Sequence, residues 1–140
     1  MSAAQGTELD ALIKALEKPL KDLGYKKKRY VWYKDKGSLT VVFSVQRSQF
    51  GRELWYYNFG VGINALSDEA INTVSKCHIT ERLDMKIKGK ALTPDVLAKA
   101  VSKWENEYGD IAALRARALE NRLPAASSLR AVTYLTSVVL

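Results

Sequence analysis

The stretch from Trp55 to Ile63, WYYNFGVGI, alternates large apolar side chains with polar or small ones. Because successive side chains of a strand point to opposite faces, this alternation predicts a strand with one buried face and one outer face. The stretch 39–48 repeats the pattern, with one interruption at Val42. The predicted inward positions are Leu39, Val41, Phe43, Val45, Trp55, Tyr57, Phe59, Val61 and Ile63. A sheet with one apolar face must pack that face against other elements, so helices are expected to cover it.

Two further stretches, RYVWY and CHITERL, predict strands before and after this pair. KDKG separates RYVWY from 39–48, and Gly37 can adopt the left-handed conformation that a short hairpin loop needs. The sheet is therefore expected to contain four mainly antiparallel strands within about 29–83. Between the third and fourth strands, SDEAINTVSK predicts a short helix capped by Ser67.

A helix is predicted over about 7–23, where leucine and isoleucine recur at the spacing of one buried helical face. Thr7 is the expected N-cap, and Gly24 is the expected end of the helix. Pro19 lies inside the pattern, so it is expected to bend the helix or to remove one backbone hydrogen bond.

Thr93 followed by Pro94 predicts the start of a helical region over about 93–140. Pro124 is expected to break this region, and Ser127 or Ser128 to start a last helix. The apolar positions of the two parts are Leu97, Val101, Trp104, Tyr108, Ile111, Leu114, Leu129, Val132, Leu135 and Val139. The predicted fold class is therefore α+β: one domain over 1–140, with the N-terminal and C-terminal helices packed on one face of a four-stranded sheet.

The composition fits one ordinary domain. A chain of 140 residues, 47% of them hydrophobic, can bury a core without crosslinks. The single cysteine, Cys77, excludes an internal disulfide framework and a multi-cysteine zinc site, and it fits a reducing compartment. The sequence shows neither a secretory signal pattern nor an apolar stretch long enough to span a bilayer. The chain is therefore expected to be cytoplasmic.

The segment from Gly60 to Ala65, GVGINA, has the glycine spacing of a dinucleotide-binding turn, and Glu81 lies about 20 residues further on. Such a turn binds pyrophosphate because a helix begins at the glycines and points its free N–H groups at the phosphates. Here the nearest cap signal, Ser67, comes several residues too late. We therefore interpret Gly60 and Gly62 as outer-face residues of a strand that a neighbouring segment or ligand approaches closely, and we expect no cofactor.

Cys77 and His78 are adjacent, and they are the only cysteine and the only histidine. Side chains of neighbouring strand residues point to opposite faces, so a thiolate–imidazole pair is not expected. A metal site or a catalytic pair would need a second copy of one of them. We expect Cys77 to be a small buried residue, His78 to lie with Arg82 on the outer face, and neither a catalytic residue nor a metal ligand.

The stretch 25–36, YKKKRYVWYKDK, carries six basic residues and one aspartate, so it supplies +5 of the net charge of +7. Such a local field attracts nucleic acid, acidic protein or anionic lipid. Lysines beside the aromatic residues of a sheet can hold phosphates while the rings stack on bases, so nucleic-acid binding is the alternative function. The other interpretation is a solvated turn between helix and strand. The candidate anion-binding residues are Lys26, Lys27, Lys28 and Arg29.

Three segments occur in a recognisable order: KPLKDLGYKKKRYVWYK, VVFSVQRSQFGRELWYYNFGVGI and CHITERL. This order resembles an uncharacterised bacterial family, domain of unknown function 4304. Its members similarly combine a Gly-aromatic-Lys-Lys turn after a helix, a Gln-basic-Ser triplet, an aromatic strand and a Cys/Arg strand. The resemblance covers about 12–83 well and the helical tail loosely. It implies the fold but no reaction, and it provides no catalytic residues.

The outer face of the sheet is the candidate site, and the leading function is a non-enzymatic protein-binding module. Small single-domain proteins without catalytic groups often act by occluding a partner, so the analogy extends to immunity or antitoxin proteins. The expected partner is a protein, and the sequence defines neither its identity nor the oligomeric state. The candidate binding residues are Gln46, Ser48, Tyr56, Asn58, His78 and Arg82, around a shallow floor formed by Gly60 and Gly62.

Overall fold

A computed structural model describes residues 2–47, 55–83, 93–124 and 126–137. The helices are α1 (Ser2–Asp22), α2 (Pro94–Tyr108), α3 (Ile111–Leu119) and α4 (Leu129–Ser137). The strands are β1 (Lys26–Lys28), β2 (Val31–Asp35), β3 (Leu39–Arg47), β4 (Trp55–Ile63), β5 (Ile79–Leu83) and β6 (Ala126–Ser127). Ser48, one of the candidate binding residues, lies outside the described residues.

The described strands form one sheet in the order β1-β2-β3-β4-β5-β6, and every neighbouring pair is antiparallel. The prediction of four strands is wrong, because the described residues form a sheet of six. The additional strands, β1 and β6, are short and lie at the two edges. Neither contains an alternation of apolar and polar residues, so periodicity alone cannot identify them.

The hydrophobic core lies between one face of the sheet and the four described helices. Every predicted inward position of β3 and β4 is buried. Phe43 packs against Phe59 on the neighbouring strand, with the ring centroids 5.2 Å apart, and Phe59 packs in turn against Trp104 of α2 at 5.7 Å. The prediction that helices from both ends of the chain cover one apolar face is confirmed.

Helix α1 begins at Ser2, upstream of the predicted cap at Thr7. Alanine and glutamine at positions 3–5 are good helix formers, so the helix extends through them. At the other end Gly24 has φ +94° and its N–H donates to the carbonyl of Lys21 at 2.9 Å, while the next N–H reaches back to the carbonyl of Leu20 at 3.0 Å. This pair of bonds is a Schellman C-cap, so the predicted end at Gly24 is confirmed.

The predicted hairpin is formed by β2 and β3. Its loop contains Gly37 at φ +89°, and the Gly37 N–H donates to Asp35 Oδ1 at 2.9 Å. The loop is closed by the Lys36 N–H, which donates to the carbonyl of Leu39 at 2.7 Å. The left-handed glycine predicted from KDKG is therefore the residue that makes this turn.

The connection between β4 and β5 is not the short α-helix predicted from SDEAINTVSK. It contains two single turns of 3₁₀-helix, Asn64–Leu66 and Val74–Lys76, joined by extended and bent chain. Ser67 hydrogen-bonds the backbone of Glu69 in a local turn rather than capping a helix. The connection crosses the outer face of the sheet, where Ile71 lies against Gly62 and Cys77 against Gly60.

Helix α2 begins as predicted, because Thr93 Oγ1 accepts from the Val96 N–H at 3.2 Å. It ends before Gly109, and Asp110 then caps the separate helix α3. Ser128 is the cap of α4, since its Oγ accepts from the Ala131 N–H at 3.1 Å. Helix α4 buries Ala131 and Leu135, whereas Leu129 is 81% exposed, contrary to the predicted apolar positions. Val139 lies outside the described residues.

Candidate functional site

Four of the predicted binding residues meet on the outer face of the sheet. Asn58 Nδ2 donates to Gln46 Oε1 at 3.1 Å and to Ser44 Oγ at 3.3 Å. Arg82 Nε donates to Asn58 Oδ1 at 3.0 Å, and Arg82 Nη2 lies 3.4 Å from Gln46 Oε1. The Arg82 guanidinium carbon lies 4.7 Å from the centroid of the Tyr56 ring. We call Ser44, Gln46, Tyr56, Asn58 and Arg82 the Arg82 network.

The strand registers produce this arrangement. Ser44 on β3, Asn58 on β4 and Arg82 on β5 are direct neighbours in one row across the sheet. Gln46 and Tyr56 form the next row on the same face. Directly opposite residues of antiparallel strands have side chains close enough to interact, so the alternating pattern and these registers bring the five side chains together.

Arg82 is exposed, yet its guanidinium is held on three sides. Two hydrogen bonds to amide oxygens fix its plane, and the Tyr56 ring supports it by a cation–π contact. Asn58, at the centre, is 7% exposed, so its amide is a buried link rather than a solvated surface group. The Arg82 guanidinium is therefore an ordered positive charge on the polar outer face of the sheet.

His78, predicted to lie with Arg82 on the outer face, makes no contact with this network. Its Nδ1 accepts a hydrogen bond from the backbone N–H of Ile63, at the end of β4, at 3.0 Å. Ile63 is five residues along β4 from Asn58, the partner of Arg82, which corresponds to about 16 Å of strand. His78 immediately precedes β5, and its N–H donates to the carbonyl of Val61 on β4 at 3.0 Å.

The predicted shallow floor at Gly60 and Gly62 is not open. A Cβ placed on Gly60 would lie 2.6 Å from Cys77 Sγ, and one placed on Gly62 would collide with Ile71. The close approach expected at these glycines is therefore made by a neighbouring segment of the chain itself. Among the described residues of the Arg82 network, at the other end of β4, Gln46 and Arg82 are exposed.

Cys77 packs on Gly60 rather than among the inward residues. The expected alternation fails here because Cys77 precedes β5 and ends a 3₁₀ turn. Burial raises the pKa of the Cys77 thiol to about 12, so the thiol is protonated at neutral pH. Its Sγ lies 3.5 Å from the carbonyl oxygen of Thr73, to which the thiol can donate.

The candidate anion-binding residues lie on β1 and in the turn after it. Lys26, Lys27 and Lys28 form the exposed edge strand, and Arg29 turns the chain with φ +58°. Lys27 Nζ is 2.6 Å from Glu17 Oε1 on α1, so its charge is already paired. The three lysines are therefore part of the sheet rather than of a solvated turn.

A second ionic cluster, which the sequence did not predict, joins α2 to β2 and to two neighbouring connections. Glu105 of α2 accepts from Lys34 Nζ and from Lys36 Nζ at 3.0 Å each, and from the Tyr25 hydroxyl at 2.9 Å. Burial alone raises the pKa of Glu105, but the hydrogen bonds from Lys34, Lys36 and Tyr25 outweigh it and hold the pKa below its usual value. Glu105 lies about 70 residues from the two lysines in sequence, and no local spacing relates them.

Within the described ranges, no group of three or more His, Cys, Asp or Glu side chains is placed to hold a metal ion. In the same part of the chain, no helix is both long and apolar enough to cross a bilayer. A family model described as domain of unknown function (DUF4304) matches residues 16–123. Comparison with curated proteins finds no match, and comparison with solved structures also finds none.

Proposed function

The chain belongs to the family described as domain of unknown function (DUF4304), and we propose that it is a non-enzymatic protein-binding module. Its proposed contact surface is the outer sheet face around the Arg82 network. The observation that carries this proposal is the exposed guanidinium of Arg82, fixed by Asn58, Gln46 and the ring of Tyr56.

An arginine held in this way suits a protein interface. Arginine and tyrosine are among the residues that contribute most to binding when they lie at the centre of a contact. Since Arg82 is already ordered by its neighbours, little side-chain entropy remains to be lost when a partner binds. Its described contacts are amide oxygens and a ring, so no carboxylate of the described residues neutralises its charge. A partner with an acidic group opposite Arg82 fits this surface best.

The protonation of the Cys77 thiol and the hydrogen bond of the His78 ring support a non-enzymatic role. The Cys77 thiol, with its raised pKa, is a poor nucleophile at neutral pH. His78 uses Nδ1 to accept the Ile63 N–H, so that nitrogen is committed to the backbone. Binding that occludes a partner's active site, as by an immunity or antitoxin protein, requires no catalytic group, and we propose this form of binding, in the cytoplasm, by analogy.

Nucleic-acid binding by 25–36 is the alternative. The exposed side chains of Lys26, Lys28 and Arg29 favour it, because they follow one sheet edge and the adjoining turn. Against it, three of the six basic residues of this stretch are paired with carboxylates: Lys27 with Glu17, and Lys34 and Lys36 with Glu105. Paired cations have less charge to offer to phosphates, so the protein-binding proposal ranks first.

The test is affinity capture from a lysate of the source cells, with and without nuclease treatment. Arg82→Gln removes the fixed charge, and Arg122→Gln is the matched control because Arg122 is an exposed arginine paired with Glu120, outside the sheet. We expect a defined protein partner that survives nuclease, is lost with Arg82→Gln and is kept with Arg122→Gln. Capture of nucleic acid alone, or a partner indifferent to Arg82→Gln, would contradict the proposal.

A further inference from the structure

A groove of about 410 Å³ lies between α1 and β1, at the edge of the helix-covered face and away from the Arg82 network. Its lining comes from one turn of α1, from β1 and from the strand beside it. Glu17 and Lys21 are one helical turn apart, and Lys27 is directly opposite Trp32 in the β1–β2 register. The lining residues are Glu17, Lys21, Tyr25, Lys26, Lys27 and Trp32.

Trp32 is the unusual member of this lining. It is 1% exposed, and its buried Nε1 has no hydrogen-bond partner among the described residues. The other two tryptophans differ, because Trp55 Nε1 donates to Tyr57 Oη at 2.9 Å and Trp104 Nε1 donates to the carbonyl of Gly60 at 3.2 Å. A buried donor without an acceptor is costly, and an indole can only donate. A ligand that satisfies Trp32 must therefore supply an acceptor atom.

The charges of the groove define that acceptor further. Three lysines and one glutamate line it, so the lining is positive. Lys27 Nζ lies 2.6 Å from Glu17 Oε1 and 5.9 Å from the centroid of the Trp32 ring, so the ion pair lies beside the indole. An anionic oxygen that enters here can replace the Glu17 carboxylate at Lys27, and the Trp32 N–H is the neighbouring donor that lacks an acceptor.

We propose that this groove binds a small planar organic carboxylate. Its carboxylate would bind Lys27 and the Trp32 N–H, and its ring would lie along the aliphatic stems of the lining lysines, since Trp32 and Tyr25 are only 1% and 4% exposed. The volume is within the range of small-molecule sites. A free small molecule fits better than an added peptide strand, because β1 is only three residues long and every one of them is lysine, features that discourage strand addition.

The test uses 2-naphthoate as the probe and the indole N–H signals of the ¹⁵N-labelled full chain as the readout. Three indole signals are expected, and Trp32→Phe assigns that of Trp32. The Trp32 signal should shift with a saturable dependence on probe concentration as its N–H gains an acceptor. The signals of Trp55 and Trp104 serve as internal controls, since both indoles already have acceptors. The neutral analogue 2-naphthamide should bind much more weakly.

Three variants test the roles of the charges. Lys27→Gln should weaken naphthoate binding about five-fold, the contribution of one part-exposed ion pair. Glu17→Gln should tighten binding, because it removes the carboxylate that competes for Lys27. Lys76→Gln is the matched control: Lys76 also pairs with a carboxylate, but at Glu69, outside the groove. It should leave the affinity unchanged.

Several results would overturn the proposal. The first is that the Trp32 indole signal does not shift at millimolar naphthoate. The second is that all three indole signals shift equally. The third is that neither Lys27→Gln nor Glu17→Gln changes the affinity for naphthoate. A tetraglutamate peptide distinguishes a peptide site from a small-molecule site. If it moves the backbone amide signals of 26–28 while naphthoate moves nothing, the groove is a peptide contact and the small-molecule assignment is wrong.

Discussion

Trp55 shows how a single side chain ties β4 to the core. It is 7% exposed, and its indole N–H is satisfied by the Tyr57 hydroxyl on the same strand face. Trp55→Ala removes this packing and leaves a cavity, so we expect a loss of about 3–5 kcal/mol in the free energy of unfolding. Urea denaturation of the variant and of wild type measures the difference.

The matched control for Trp55→Ala is Tyr30→Ala. Tyr30 is also aromatic but is 46% exposed in the turn between β1 and β2. Its removal should change the free energy of unfolding by no more than about 0.5 kcal/mol. Equal losses for the two variants would show that the buried and exposed faces have been assigned wrongly.

The second prediction about a single residue concerns how stability depends on pH near neutrality, because His78 is the only histidine. Burial, followed by the positive charge of Arg130, lowers its pKa below the usual 6.5. The unfolded chain therefore binds the proton more tightly, so the fold should lose stability as pH falls below 6.5 toward the folded-state pKa. Protonation of Nδ1 would also remove the acceptor for the Ile63 N–H.

Thermal or urea unfolding between about pH 7.5 and about pH 5.5 tests this prediction, since carboxylates titrate mostly below that range. His78→Asn cannot titrate, and it should flatten the pH dependence over the same range. A wild-type stability that rises as pH falls through this range would contradict the assigned pKa direction.

The residues of the Arg82 network follow from alternation within strands combined with antiparallel pairing, and both can be recognised in the sequence. Gln46, Tyr56, Asn58 and Arg82 were predicted on one face for that reason. His78 lies apart from this network because a shared face does not bring together residues at opposite ends of the β4–β5 pair. Trp32 Nε1 could not be identified, since an unsatisfied donor is a property of packing rather than of sequence spacing.

At the scale of elements, Glu105 connects α2 to β2, to the turn after β2 and to the connection between α1 and β1. Its side chain is 13% exposed and accepts from two lysines and one tyrosine. Glu105→Gln removes the charge that these donors share, so we expect a loss of about 1–2 kcal/mol at neutral pH. The difference from wild type should shrink in acid, as the wild-type carboxylate itself becomes protonated.

Glu107→Gln is the control for this experiment. It lies on the same helix and pairs with Lys103, but the two atoms are 3.9 Å apart and Lys103 is largely exposed. Its free energy of unfolding should differ from wild type by no more than about 0.5 kcal/mol. A Glu105 variant as stable as the Glu107 variant would mean that the cluster does not join these elements.

The connection between β4 and β5 depends on the glycines it covers. Gly62→Ala places a methyl group against Ile71, which is 4% exposed, so we expect a loss of about 1–3 kcal/mol. Ile71→Ala alone should cost about 2–5 kcal/mol. Because the second change removes the atoms that the first one meets, the double variant should lose less than the sum of the two.

A double-mutant cycle measured by urea unfolding gives this interaction. Strict additivity would show that Ile71 does not lie on Gly62.

The same contact explains why the helix predicted here does not form. A Ser-Asp start satisfies the local rules for a cap, but the segment instead packs Ile71 and Cys77 onto the sheet, and tertiary packing overrides weak helical propensity.

Over the whole molecule, charge and shape define two separate surfaces. The lysines of β1 lie at one edge of the sheet, beside α1, while the Arg82 network lies on the opposite side of the sheet from the helices. The α+β class and the helix-covered face followed from hydrophobic periodicity. The edge strands β1 and β6 did not, because their pairing depends on contacts distant in sequence.

The most direct test of the protein-binding proposal is the kinetics of the captured complex. Arg82→Gln removes a central anchor, so it should raise the dissociation rate about ten-fold. Replacing Lys26, Lys27 and Lys28 together with glutamine should alter mainly the association rate and its dependence on salt, leaving the dissociation rate within about two-fold of wild type. Tight nucleic-acid binding at physiological salt, lost on lysine replacement and unaffected by Arg82→Gln, would contradict the proposal and favour the basic edge as the functional surface.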